Sequence, residues 1–225
     1  GFVNGETLAT SGISGTPQLV TAATTLSSVG TYDINASNGS LSSQNYDFTF
    51  VKGTLNIGKA IIMITAEDKS RKYGEANPAF TARYSGFVNG ETLASSGITG
   101  LPALATVATP TSTVGTYEIT AATGTLASGN YGFSFTSGLL TIGKSMITVT
   151  ADNASRIYGS PNPSFTATYT GFVNGETLAT SGILGTPSLT TVATAASGVG
   201  TYPIVPAIAT LFSPNYEFSF VSGVL

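Results

Sequence analysis

The segment Gly-Phe-Val-Asn-Gly-Glu-Thr-Leu-Ala stands at Gly1–Ala9, again at Gly86–Ala94 and again at Gly171–Ala179. Each step is 85 residues, and other landmarks keep it: Gly30-Thr31-Tyr32, Gly115-Thr116-Tyr117 and Gly200-Thr201-Tyr202, or Asn45-Tyr46, Asn130-Tyr131 and Asn215-Tyr216. No insertion or deletion breaks the register. A fixed period of this kind marks a tandem array. It exceeds the roughly 20–50 residues of solenoid units, which cannot bury a core alone, and lies within the domain range of about 50–250 residues. Each period is therefore expected to close its own apolar centre and to pass directly into the next.

The 225 residues hold two full periods and a remainder. Hydrophobic residues make up 41% of the chain, enough for packed cores, whereas charged residues are only 8%, far below the roughly 25% usual in globular domains. Disorder combines low hydrophobicity with high charge, so this is a folding composition whose surface is made of Thr, Ser, Gly and Asn. A net charge of −3 with eight basic residues gives no electrostatic footprint for nucleic acid or for an anionic membrane surface. There is no Cys, which excludes disulfides, and no His, which removes the commonest metal ligand and general base. No apolar run reaches the ~20 residues of a membrane-spanning helix. The chain opens inside a repeat, so export or anchoring signals are expected beyond it.

One period reads most clearly from Lys59 to Gly143. Ile61-Ile62-Met63-Ile64-Thr65-Ala66 and its counterpart Met146–Ala151 are apolar, β-branched runs that predict strands, with burial on both faces. Ser70-Arg71-Lys72-Tyr73-Gly74 follows, then the turn initiator Asn77-Pro78. Phe80, Ala82 and Tyr84 alternate with polar residues as a half-buried strand. Gly86-Phe87 breaks the alternation and predicts a bend. Asn89-Gly90 is either a hairpin turn or the start of a short helix, with Asn89 as N-cap, Glu91 in the first turn and Gly97 past the last; the helix is preferred, since no alternation follows. Leu104–Thr109, Gly115–Ala121, Tyr131–Phe135 and Leu140–Ile142 supply further strands, and Tyr46–Phe50 with Leu55–Ile57 repeats the last hairpin in the first copy.

These readings predict a mainly β protein of tandem small modules, each of about six strands plus one short helical turn, arranged end to end as a rod. A single sheet packed on the helical turn is preferred; the alternative, an immunoglobulin-like β-sandwich, needs about seven strands. The modules are residues 60–143 and 145–225, preceded by an incomplete one at 1–58 that lacks its first two strands. Either the boundary alone accounts for this, or another chain supplies those strands by edge addition. The short joints at Gly58 and Gly143 are expected to limit bending.

Candidate sites are few. Asn4 and Glu6, Asn89 and Glu91, and Asn174 and Glu176 recur at loop tips in a chain poor in charge, which makes them the binding candidates; the competing reading of each Glu is a carboxylate facing a helix N-terminus. Glu67-Asp68 and Asp152-Asn153 sit near the joints, but calcium wants six to eight oxygen ligands and about two acids are offered, so no metal is expected. A Lys–Asn crosslink would draw on Lys59, Asn130 and Glu91, although Lys59 reads as a linker residue. Tyr46, Phe48 and Phe50 could stack on sugars, but their period-2 spacing reads as core. Without a base for the hydroxyls or a phosphate loop, no enzyme activity, catalytic residue or cofactor is expected.

Tyr73-Gly74, Asn77-Pro78-Ala79-Phe80, Tyr84 to Glu91, Val114-Gly115-Thr116-Tyr117, Asn130-Tyr131-Gly132-Phe133 and Leu140-Thr141-Ile142 together resemble the YGX-type MBG repeat of large bacterial surface proteins. The resemblance covers essentially the whole chain. It implies an exported, extracellular, adhesin-like protein at a bacterial cell surface, built from many small β-rich modules with no shared enzymatic site. The expected function is a stalk or filament spacer whose partners are neighbouring repeats of the same chain. The alternatives are an array binding glycans or a partner protein multivalently, and a filament self-assembled through strand edges.

Overall fold

The computed structural model describes residues 1–225 and contains sixteen strands and no helix. The first copy contributes β1 (Gln18–Thr21), β2 (Gly30–Ser37) and β3 (Gly53–Ile57). The second contributes β4 (Ala60–Ala66), β5 (Lys69–Lys72), β6 (Ala82–Ser85), β7 (Ala103–Ala105), β8 (Gly115–Ala122), β9 (Tyr131–Thr136) and β10 (Gly138–Gly143). The third contributes β11 (Ser145–Ala151), β12 (Ala167–Thr170), β13 (Ser188–Thr190), β14 (Pro203–Ala207), β15 (Tyr216–Val221) and β16 (Gly223–Val224).

The second copy thus carries seven strands and the third six, in each case distributed over two sheets. In the second copy these are β6-β4-β9 and β5-β10-β8-β7; in the third, β12-β11-β15 and β13-β14-β16. The opening strand of the third copy, β11, runs parallel to β15 and antiparallel to β12. In the second copy β5 runs parallel to β10, which pairs antiparallel with β8. The preferred arrangement of one sheet on a helical turn is therefore replaced by two sheets. Ser70–Lys72, which carries no strong strand pattern, becomes a strand because its backbone groups are paired by β10. The Leu104–Thr109 strand shortens to Ala103–Ala105.

The chain divides into two compact units, and the division does not follow the copies. Unit 1 holds residues 1–64, 84–102 and 123–135; unit 2 holds 65–83, 103–122 and 136–225. In unit 1 the β1-β2-β3 sheet is antiparallel throughout. Alternation along β4 buries Ile62, Ile64 and Ala66 while Ile61 and Met63 face outward, so this apolar strand has one buried face where two were expected. Tyr46–Phe50 forms no strand, and Phe50 is exposed while Tyr46 and Phe48 are half-buried. Its third-copy counterpart, β15, is held by parallel pairing to β11, and the first copy contains no strand equivalent to β11.

The helical turn expected after Asn89 is absent, for a local reason. Asn89 and Gly90 both take positive φ, 55° and 72°, and the Glu91 amide donates to the Val88 carbonyl at 3.0 Å, so the pair forms the tight turn that Asn-Gly favours. Asn89 cannot then be an N-cap. A single turn follows, with the Ser96 amide on the Thr92 carbonyl. Hydroxyls of Ser95 and Ser96 capture the Thr92 amide and the Leu93 carbonyl, diverting backbone groups from continuing a helix. The bend expected at Gly86 is present: its φ is 98°, and a Cβ there would lie 2.6 Å from the Ile61 carbonyl oxygen.

The hydrophobic cluster of unit 2 joins Ala66, Tyr73, Ile119, Leu140 and Ile142 of the second copy to Ile147, Val149, Leu211 and Tyr216 of the third. The expectation that each copy closes its own apolar centre is corrected here: in unit 2 the second and third copies share one. Leu140 is 0% exposed in that cluster, whereas Leu55, on β3, is 37% exposed. Replacing Leu140 by Ala is expected to cost about 2–5 kcal/mol, the usual range for a buried Leu. Leu55→Ala should cost about 1 kcal/mol or less. Urea unfolding of the two variants measures the difference, and equal costs would contradict the shared interior.

Candidate functional site

The recurrent loops turn their half-buried Glu side chains onto tyrosine phenols. Glu91 Oε2 accepts the Tyr131 phenol at 2.5 Å, and the same oxygen accepts Tyr46 in the first copy (Glu6, 2.5 Å) and Tyr216 in the third (Glu176, 2.6 Å). The spacing between the partners is 40 residues each time. Each phenol oxygen also accepts a backbone amide at 3.2 Å, from Val3, Val88 or Val173. The tyrosine thus joins the carboxylate and the first residue of the turn, and closes a loop that the Asn-Gly turn alone would leave open. A phenylalanine one residue before each Val packs edge-to-face on the same ring, with centroids 5.8–6.1 Å apart.

Unit 2 extends this clamp. Glu176 Oε1 accepts a second phenol, from Tyr73 of the preceding copy, at 2.5 Å. The rings of Tyr73 and Tyr216 meet edge-to-face at 5.6 Å, a geometry the aromatic quadrupole favours. Around it the Asn215 side-chain oxygen accepts the Val114 amide at 3.2 Å, the Ser145 hydroxyl donates to the Tyr73 carbonyl at 2.5 Å, and the Lys144 ammonium donates to the Ser213 carbonyl at 2.7 Å. Unit 1 repeats two of these bonds, Asn130 with the Val29 amide at 3.1 Å and Lys59 with the Ser128 carbonyl at 2.7 Å. No buried side-chain nitrogen or oxygen is left without a partner.

The phenols titrate high. Burial, then the Glu176 carboxylate, pushes Tyr216 up to about 12, and Tyr73 is raised by the same two causes. For Tyr131 and Tyr46 the bond to Glu91 or Glu6 leads. An ionised phenol could no longer donate to a carboxylate, so the neutral form is the one the fold holds.

Of the sequence candidates, Glu6, Glu91 and Glu176 are therefore structural acceptors, and none faces a helix N-terminus. Asn4, Asn89 and Asn174 are exposed at the turn with φ of 52–55°; Asn174 donates to the Pro110 carbonyl at 3.4 Å. The joint acids are likewise engaged. Glu67 accepts the Thr81 hydroxyl, Asp68 the Leu139 amide, Asp152 the Thr166 and Thr168 hydroxyls, and Asn153 the Val224 amide. No three Asp or Glu side chains gather as a metal-binding group. Lys59, Asn130 and Glu91 each hold a different partner, so the crosslink trio is not assembled. Sequence reasoning missed the tyrosines; their constant spacing from a recurrent Glu was the available signal, masked because Tyr131 also fits an apolar strand face.

A family model described as MBG domain (YGX type) matches residues 1–56, 62–141 and 147–225. The chain belongs to the MBG domain (YGX type) family. The resemblance read from the sequence is thereby confirmed. Neither the curated proteins nor the solved structures compared with the chain give a match. MBG repeats form repeat regions of surface proteins and are not a known enzyme family. No helix is long and apolar enough to cross a membrane.

Two outcomes follow from the clamp. Tyr216→Phe removes both a bond to a carboxylate and the acceptor of the Val173 amide, and should cost about 1.5–3 kcal/mol. Tyr46→Phe, at a more exposed clamp, should cost less; thermal melts of both variants check the order. The raised phenols also set an alkaline limit. In the unfolded chain Tyr ionises at 10.0, and folded Tyr216 at about 12. The stabilisation is therefore complete below pH 10 and is lost as pH rises toward about 12. Tyrosinate absorbance followed alongside circular dichroism should show Tyr216 ionising only as unit 2 unfolds.

Proposed function

We propose that this MBG chain is a non-catalytic structural segment of a bacterial cell-surface protein, acting outside the cell as an extended spacer assembled from linked repeats. The observation that carries this reading is the tie between the second and third copies. Glu176 of one copy holds Tyr73 of the copy before it, over a hydrophobic cluster drawn from both. An interior shared only between successive copies lets an array grow one copy at a time while restraining each joint. Lys144, the sole residue between β10 and β11, is itself fixed by its bond to Ser213.

Chemistry at the recurrent loops argues the same way. Their carboxylates are spent on internal phenols. Low charge and a hydroxyl-rich surface suit a solvated connector. A second reading, an adhesive array, draws on the exposed and invariant Asn4, Asn89 and Asn174, because weak sites repeated along a chain gain avidity.

Small-angle scattering of the 225-residue chain together with a glycan array separates the two. The spacer reading expects an elongated scattering profile and no saturable glycan binding. Saturable binding that disappears when Asn4, Asn89 and Asn174 are changed to Ala would overturn it in favour of adhesion.

A further inference from the structure

A linked repeat transmits any pull on the chain through its first and last strands, so the pairing of those strands decides how the copy yields. In the third copy the first strand, β11, lies against β15. The two run parallel over six register pairs, from Ser145 opposite Tyr216 to Thr150 opposite Val221. Beyond the ladder the segments stay together: the Val224 amide donates to the Asn153 side chain at 2.8 Å, and its carbonyl accepts the Ala154 amide at 2.9 Å. The second copy closes in the same sense, with β5 parallel to its last strand, β10, from Lys69 opposite Leu140 to Lys72 opposite Gly143. The ladders behind these, β10 with β8, β8 with β7, β11 with β12, and β14 with β13 and β16, are antiparallel.

Parallel pairing of a first strand with a closing one fixes the direction of load. Tension draws the start of β11 backward along its own axis and the end of β15 forward along the same axis, so the strands are made to slide. The bonds of a parallel ladder are evenly spaced, and sliding strains them together. Antiparallel strands in the same places would part from one end, a bond at a time. Side chains brace this ladder. At its start the Ser145 amide donates to the Asn215 carbonyl at 3.1 Å and the Lys144 ammonium to the Ser213 carbonyl at 2.7 Å. Midway the Thr148 and Ser219 hydroxyls share a hydrogen bond at 3.0 Å. On the inner face Ile147 and Val149 are fully buried, which keeps water from replacing the strained bonds. Tyr216 is buried and bonded to Glu176, so β15 slides only by drawing an aromatic ring out of the core and off a carboxylate.

We propose that these parallel ladders are load-bearing, and that a further function of the array is to resist tension along the chain, each copy holding until its first strand shears from its closing one. The inference rests on the spacer reading, since a chain fastened at both ends is what carries tension. The strands from β12 to β14 lie between the two paired strands in sequence and feel no load while the ladder holds. Resistance to forced unfolding is governed by the unfolding rate, so it is a property separate from equilibrium stability.

The chain contains no cysteine, so introduced pairs define where it is pulled. Met146 on β11 and Glu217 and Val221 on β15 are exposed. Met146→Cys with Val221→Cys loads the ladder along its strands. Met146→Cys with Glu217→Cys, at residues directly opposite each other, peels the same ladder from the side. Circular dichroism and thermal melts check that both double variants of the 225-residue chain fold alike. With DNA handles in optical tweezers, the lengthwise pair should rupture at about twofold or more the force of the crosswise pair, because its bonds must yield together. Equal forces, or a weaker lengthwise pair, would overturn the load-bearing assignment. Neither result touches the spacer reading, whose elongation and glycan binding are measured without load.

Discussion

A carboxylate held by phenols organises this chain. In a molecule with 8% charged residues, a half-buried acid at the same place in every copy needs a hydrogen-bond donor that folds with it. Tyrosine supplies it. Hydrogen bonds to an ionised acceptor are roughly twice as strong as neutral ones, and the same phenol oxygen takes a backbone amide from the turn. One side chain therefore fixes a loop to a strand 40 residues away. With two phenols on Glu176, the bond also fixes one copy to the next.

That second phenol changes what a repeat is, physically. The sequence unit is 85 residues long, but the hydrophobic cluster of unit 2 belongs half to one copy and half to its successor. Stability in such an array is the sum of intrinsic terms and nearest-neighbour terms, and here the neighbour term includes buried aromatics, aliphatics and a charge-assisted pair. The exposed ion pair between Lys72 and Glu217, at 3.1 Å, crosses the same boundary and adds little, as surface pairs do.

Much of this was legible before the structure. An apolar β-branched run located β4, period-2 alternation located β8 and β9, the return of a hairpin located β10, and the bend at Gly86 followed from its break in pattern. The helical turn was misread because Asn89-Gly90 satisfies both a cap and a hairpin turn; the positive φ of Asn89 and the hydroxyls of Ser95 and Ser96 decide between them, and hydroxyl geometry is not written in a pattern. β5 was missed because its strand character is imposed by β10. The pairing of Tyr73 with Glu176 spans 103 residues. In a sequence whose copies are alike, an intra-copy and an inter-copy partner look the same, so periodicity conceals the contact that matters most.

Identical residues consequently occupy different environments according to their neighbours. Tyr73 is 4% exposed and Tyr158, its counterpart one copy later, is 64% exposed, although both lie in Arg-x-Tyr-Gly segments with the same Arg–Asn bond. Over Tyr73 lies the loop of Glu176, whose carboxylate takes its phenol. The joining surfaces are also unlike: a Tyr-Gly segment on one side, a Glu-bearing loop on the other. A heterologous contact of this sort does not close on itself in the way a two-fold interface does, and it can be extended indefinitely by further copies. Covalent linkage in register supplies those copies at high effective concentration, which is why so modest a set of bonds suffices to join one repeat to the next.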